Sequence, residues 1–162
     1  MRPVLACLLL ATACSNAAAG IFQPSGTGEP VVPSPDQRAA VVAAYLDFHR
    51  AFQTALGGND ATGLPAVTAE PLTSRLTEVV RSQERRSVVR RTHTAVNPRI
   101  AWIKGGTAHI VDCVSSPGFT TFDAGSGKRR GPAARPEQAV LNTRLVLDGT
   151  WKVASIRAGG PC

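Results

Sequence analysis

The stretch "AVLNTRLVLDGTWKVASIR" (residues 139–157) runs apolar and polar side chains on either side of Asp148-Gly149, a two-residue turn signal. It reads as a β-hairpin with strands Ala139 to Leu147 and Thr150 to Arg157. Upstream, Ile100 to Lys104, the turn Gly105-Gly106 and Thr107 to Ser115 predict a second hairpin. Val88 to Val96 predicts a strand broken at Asn97-Pro98, and Phe119 to Phe122 a short strand in a loop that contains "GSGKRRGP".

The segment before these strands has helical spacing instead. Ser34-Pro35-Asp36-Gln37 combines a Ser N-cap, Pro at the first helical position and Gln at the third. Val41, Tyr45, Phe48, Phe52 and Leu56 follow on one face, and Gly57-Gly58 is the expected stop. A short, interrupted helical stretch spans about Asp60 to Val67. A third helix begins near Pro71 and is expected to bury Leu72, Leu76, Val79 and Val80. Helices first and antiparallel strands afterwards imply an α+β fold, with the helices on one face of the sheet. Residues 34–162 make one domain of ordinary size.

The N-terminal residues address the chain rather than fold it. Val4 to Ala13 is too short to span a bilayer, and with Arg2 before it has the build of an export signal. Leu10-Ala11-Thr12-Ala13-Cys14 resembles the lipobox of bacterial lipoproteins, with Ala11 where Leu is usual. The expectation is a signal peptide over 1–13, lipidation of Cys14 and a flexible tether over 14–33, rich in Gly, Ser and Pro. The domain would then sit on the outer face of the cytoplasmic membrane. Secretion after cleavage near Ala17 to Ala19 is the alternative.

The chain carries 18 Lys and Arg against 11 Asp and Glu, and 15 of the basic residues are Arg. Without residues 1–13 the balance is 17 to 11, or +6. With abundant Ala, Gly and Pro, this usage resembles a high-GC actinobacterial proteome. That habit and the exported location argue against nucleic acid as a partner. Of four Cys, Cys7 leaves with the leader and Cys14 takes lipid. Cys113 and Cys162 remain, an even number in an oxidising compartment, where an exposed free thiol is a liability. A disulfide is preferred over two unrelated thiols.

"AYLDFHRAF" in the first helix, "AHIVDCVSS" in a strand, "LVLDGTWKVASI" in the closing hairpin and the terminal Cys resemble exported actinobacterial proteins of the nuclear transport factor 2-like superfamily. Ketosteroid isomerase and SnoaL-type cyclases share that cone-shaped α+β fold. The resemblance covers about residues 36–162. It implies N-terminal helices packed on a curved antiparallel sheet, a pocket inside the cone, and a bridge between Cys113 and Cys162.

Chemistry in such a pocket needs a carboxylate base and an oxyanion donor. The candidates are Asp112, Tyr45 and His49. Tyr45 and His49 are spaced i,i+4 and share a helix face, and Asp112 qualifies only if its side of the strand points inward, with Cys113 pointing out. The bland alternative, which is preferred, has Tyr45 packed in the core and His49 bordering solvent. His109 and Asp112 are three apart in a strand and so face opposite sides, against a shared metal. No metal, phosphate-loop or nucleophile-elbow motif is present, and no cofactor is implied.

Two basic clusters stand out: "RSQERRSVVRR" with Arg85, Arg86, Arg90 and Arg91, and "GKRR" with Lys128, Arg129 and Arg130 on a loop. They are read as solvated faces or as contacts for anionic lipid headgroups or a phosphate-bearing wall polymer. The reading is a non-catalytic cell-surface lipoprotein that binds a small apolar ligand or an envelope protein. An isomerase- or cyclase-type enzyme is the first rival, and a structural adaptor dimerising through its cone is the second.

Overall fold

A computed structural model of the chain describes residues 32–116, 118–132 and 135–162. The expected leader, Cys14 and the tether as far as residue 31 lie outside the described residues.

Among the described residues three helices precede seven strands: α1 (Pro35–Gly58), α2 (Leu64–Val67), α3 (Leu72–Arg85), β1 (Val88–Arg91), β2 (Arg99–Lys104), β3 (Thr107–Ser116), β4 (Thr120–Asp123), β5 (Arg129–Arg130), β6 (Glu137–Asp148) and β7 (Thr150–Ala158). The Ser34 hydroxyl accepts from the Gln37 N–H, so α1 starts at the expected cap. Its end differs. Gly57 and Gly58 complete the last turn, and Asn59 takes the left-handed cap conformation at φ 54°. Asn59 is held there because its side chain donates to the Val88 carbonyl and accepts from Gln83.

The strands form two antiparallel sheets, ordered β2-β3-β6-β7 and β1-β4-β5. Both predicted hairpins are present, and Gly105, Gly106 and Gly149 supply the positive φ their turns need. The first strand is shorter than Val88 to Val96. It stops at Arg91, because residues 92–98 turn aside to run along the end of β3. There Ala95 bridges Ser115 in place of a continued ladder. Arg129 and Arg130, expected on a loop, form β5 against β4. In α3, Leu72 and Val80 are buried as expected, whereas Val79 faces solvent and the buried position falls to Gln83.

The inner face of the four-stranded sheet carries Ala108, Ile110, Asp112 and Val114 from β3, with Thr143 and Leu145 from β6. Val41, Tyr45 and Phe48 of α1 pack onto it with Ile103, Trp151 and Val153. A second cluster, Ala55, Leu56, Leu64 and Val80, joins the three helices at the far end of α1. This is an α+β fold with helices on one sheet face.

Two bulges set which side chains face in. The β2–β3 register shifts between Ile100 and Trp102, and the β6–β7 register shifts between Arg144 and Leu145. Each extra residue inverts the alternation beyond it. Ile100 therefore packs inward while Trp102 points out, and Val153 and Ala154 are both buried while Ser155 pairs opposite Arg144.

Candidate functional site

The three candidate groups meet, but in the core. Asp112 points inward from β3 and is 1% exposed. Its Oδ2 accepts from the Tyr45 hydroxyl at 3.0 Å, and its Oδ1 accepts from the Asn97 N–H at 2.9 Å. The diversion of residues 92–98 along β3 brings that amide over the carboxyl. Cys113 faces the opposite way and is exposed, as strand alternation requires.

Tyr45 is fully buried. Burial first, and then the charge of Asp112 and the hydrogen bond to it, push the phenol well above its ordinary range. The Thr143 hydroxyl beside it works weakly the other way, yet Thr143 Oγ1 finds no hydrogen bond of good geometry. This phenol is locked as a neutral donor.

His49 sits one turn further along α1. Its ring meets Tyr45 edge-on at 4.6 Å and Phe48 edge-on at 5.2 Å. Burial lowers its pKa from the ordinary 6.5, with the negative charge of Asp112 opposing. Nε2 is buried and has no hydrogen-bond partner among the described residues. His49 also lines a cavity of about 240 Å³ whose apolar walls are Phe48, Phe52, Phe119 and Ile156. Gln53, Thr92, Thr94 and Ser116 add polar groups to its rim. Neither Tyr45 nor Asp112 lines that cavity.

The arrangement therefore divides into a sealed pair and an open mouth. Both oxygens of Asp112 are engaged and shielded, so no free carboxylate faces the cavity. One imidazole borders it, kept neutral by its surroundings. His109 lies on the other side of the sheet, stacked on Trp102 at 5.8 Å. Among the described residues no cluster of His, Cys, Asp and Glu could hold a metal ion, and no helix is long and apolar enough to cross a membrane.

The two basic clusters, separate in the sequence, converge on the small sheet. Arg90 and Arg91 pair with Thr121 and Thr120 of β4, and Arg129 and Arg130 with Phe122 and Thr121 from the other side. The Arg91 guanidinium lies 4.8 Å from the centre of the Phe122 ring, and Arg129 stands opposite the same residue. Arg130 is tied to Asp123 and Arg85 to Glu78, both as surface pairs of small energetic weight. Arg86 donates to the Ser82 carbonyl, and Lys128 is exposed on the β4–β5 turn. The Cys113 and Cys162 sulfurs lie at disulfide-bonding distance, with 5.9 Å between their Cα atoms.

No family model matches the chain, and no curated protein matches it in sequence. Solved structures match it in fold. The intermembrane-space region of the chloroplast protein ARC6 superposes with a TM-score of 0.62 at 12% identity, over 79% of this chain and 99% of that one. The Kfla4162 protein from Kribbella flavida superposes with a TM-score of 0.53 at 13% identity, over 76% of this chain and 89% of that one. At such identities the likeness shows the fold alone, the α+β arrangement of helices on antiparallel sheet that the nuclear transport factor 2-like resemblance implied.

Proposed function

We propose that the chain is an extracytoplasmic lipoprotein, anchored through Cys14, whose domain binds a small, largely apolar ligand without transforming it. The observation that carries this reading is the state of Asp112. Its two oxygens already accept from Tyr45 and Asn97, and it is 1% exposed. A general base has to reach the proton it removes within hydrogen-bond distance or through one water. Asp112 meets neither condition from the cavity. The cavity offers aromatic walls, one edge of the His49 ring and a polar rim of Gln53, Thr92, Thr94 and Ser116, the composition of a largely apolar binding site with a few polar groups at its entrance.

The rival readings find less support. An isomerase would need the acid and the donor to converge on substrate, whereas here they converge on each other. An adaptor dimerising through its sheet would bury an outer face on which the half-exposed Trp102 stands beside the polar His109, Arg144 and Arg157. A two-fold interface centred there would bring this basic patch against the same patch of the second copy.

Titration with Nile red, a neutral apolar fluorophore, tests the reading. Wild type and Asp112→Asn should bind it saturably and alike. Thr94→Trp, which fills the mouth, should weaken binding at least tenfold. Equal binding by Thr94→Trp would remove the cavity from consideration, and loss on Asp112→Asn in a folded protein would return the carboxyl to the ligand.

A further inference from the structure

The outer face of the four-stranded sheet carries a second site, unrelated to the cavity under α1. Register places His109 of β3 opposite Arg144 of β6, Arg144 opposite Ser155 of β7, and Asn142 opposite Arg157. These five side chains line one open pocket of about 490 Å³. Two guanidiniums, an imidazole, an amide and a hydroxyl thus converge from three adjacent strands.

Among the described residues no acidic side chain lines the pocket, and no ion pair uses Arg144 or Arg157. Arg144 and Arg157 are diagonal neighbours across two strands, and like charges at such spacing repel. A sheet surface that gathers them without a carboxylate is stabilised by whatever anion it holds. The bulge between Arg144 and Leu145 brings Ser155 and Arg157 to this face. The bulge at Ile100/Trp102 does the same for Trp102, which is 47% exposed and shelters one side of the His109 ring. The site is therefore built by the backbone and is not a chance scatter of arginines along one strand.

We propose that this pocket binds a phosphate group. Planar guanidinium forks match the oxygens of phosphate and carboxylate alike, and they hold either more firmly than a lysine would. The additional donors decide between the two. His109, Asn142 and Ser155 approach from other directions than the guanidiniums, and a tetrahedral phosphate, as monoester or diester, sets its oxygens out of one plane to meet them, whereas both oxygens of a carboxylate lie in one plane. The phosphate is carried by a soluble ester or by a lipid headgroup.

The test is titration of the purified full-length Cys14→Ser protein, which carries no acyl anchor, with inorganic phosphate, glycerol 1-phosphate, acetate and vesicles of phosphatidylglycerol. Binding is read from the change in tryptophan fluorescence of a Trp151→Phe background, in which Trp102 is the emitter, at constant ionic strength set with chloride, and for vesicles from co-sedimentation. Phosphate or its ester should bind saturably, at least tenfold more tightly than acetate. The double substitution Arg144→Gln/Arg157→Gln should reduce that binding at least tenfold, while Arg85→Gln on α3 leaves it unchanged. Arg144→Lys, which keeps the charge and the fold but loses the fork, should weaken it severalfold. If the soluble ions bind poorly but vesicle binding falls with the same substitutions, the headgroup is the source and the assignment stands. Equal binding of acetate and phosphate overturns the assignment. So does a response that Arg144 and Arg157 do not alter, or no binding of any of the four probes.

Discussion

Tyr45 and Asp112 stand 67 residues apart in the chain and are joined by a 3.0 Å hydrogen bond that solvent does not reach. The bond ties the middle of α1 to the inner face of β3, with Asn97 closing the other oxygen. Buried polar groups of this kind specify a packing because each is costly when left alone.

Tyr45→Phe should therefore destabilise the fold by about 1–3 kcal/mol, the usual penalty for orphaning a buried polar partner. Asp112→Ala should cost at least as much, since it strands both the Tyr45 hydroxyl and the Asn97 amide. The double variant should lose less than the sum of the two, because each single change already breaks the shared contact. Urea denaturation of all four proteins gives the numbers. Strict additivity would mean that the pair does not interact.

His49 predicts a pH dependence. Its folded pKa is lowered from 6.5, so the unfolded chain takes up a proton first as the pH falls. The contribution is fully present above about pH 7 and declines as the pH drops through and below 6.5. Melting temperature should thus fall between pH 7.5 and 5.5 in wild type, and by less in His49→Gln. Asp123, held at about 2 by the Ser126 backbone and hydroxyl and by Arg130, responds only at more acidic pH. Parallel curves for the two proteins would refute a neutral, buried His49.

The Cys113–Cys162 linkage closes a loop with a sequence separation of 49. Chain entropy alone assigns such a loop about 4 kcal/mol. Cys113→Ser and Cys162→Ser should each lower the melting temperature by a similar amount, and the double variant should match either single one. A non-reduced digest should yield the two Cys peptides joined. Separate peptides, or summed losses, would indicate two independent thiols.

Cys14→Ser tests the anchor. It should move the protein from the membrane fraction to the medium and abolish labelling by a palmitate analogue. Wild-type protein already free and unlabelled in the medium would rule out the lipobox reading.

Periodicity alone was enough for the architecture. The Ser34 cap, the α1 stripe and the two glycine-turn hairpins were legible because they depend on neighbours within a few residues. Strand alternation also required Asp112 and Cys113 to face opposite sides, and left open which of the two was inside. Tertiary contacts decided the rest. Whether Asp112 faces a cavity or a neighbour depends on residues 92–98, which leave the ladder to lay the Asn97 amide on it. Asn59, not a glycine, caps α1, since Gln83 and the Val88 carbonyl hold its side chain. The outer-face pocket was invisible because parity hides it: Val153, Ser155 and Arg157 share one parity in the sequence, as do Ile100 and Trp102. Only the two bulges, each one residue inserted against a partner strand, send the first of each set inward and the others out. A bulge is a property of two paired strands, and one strand's sequence does not contain it.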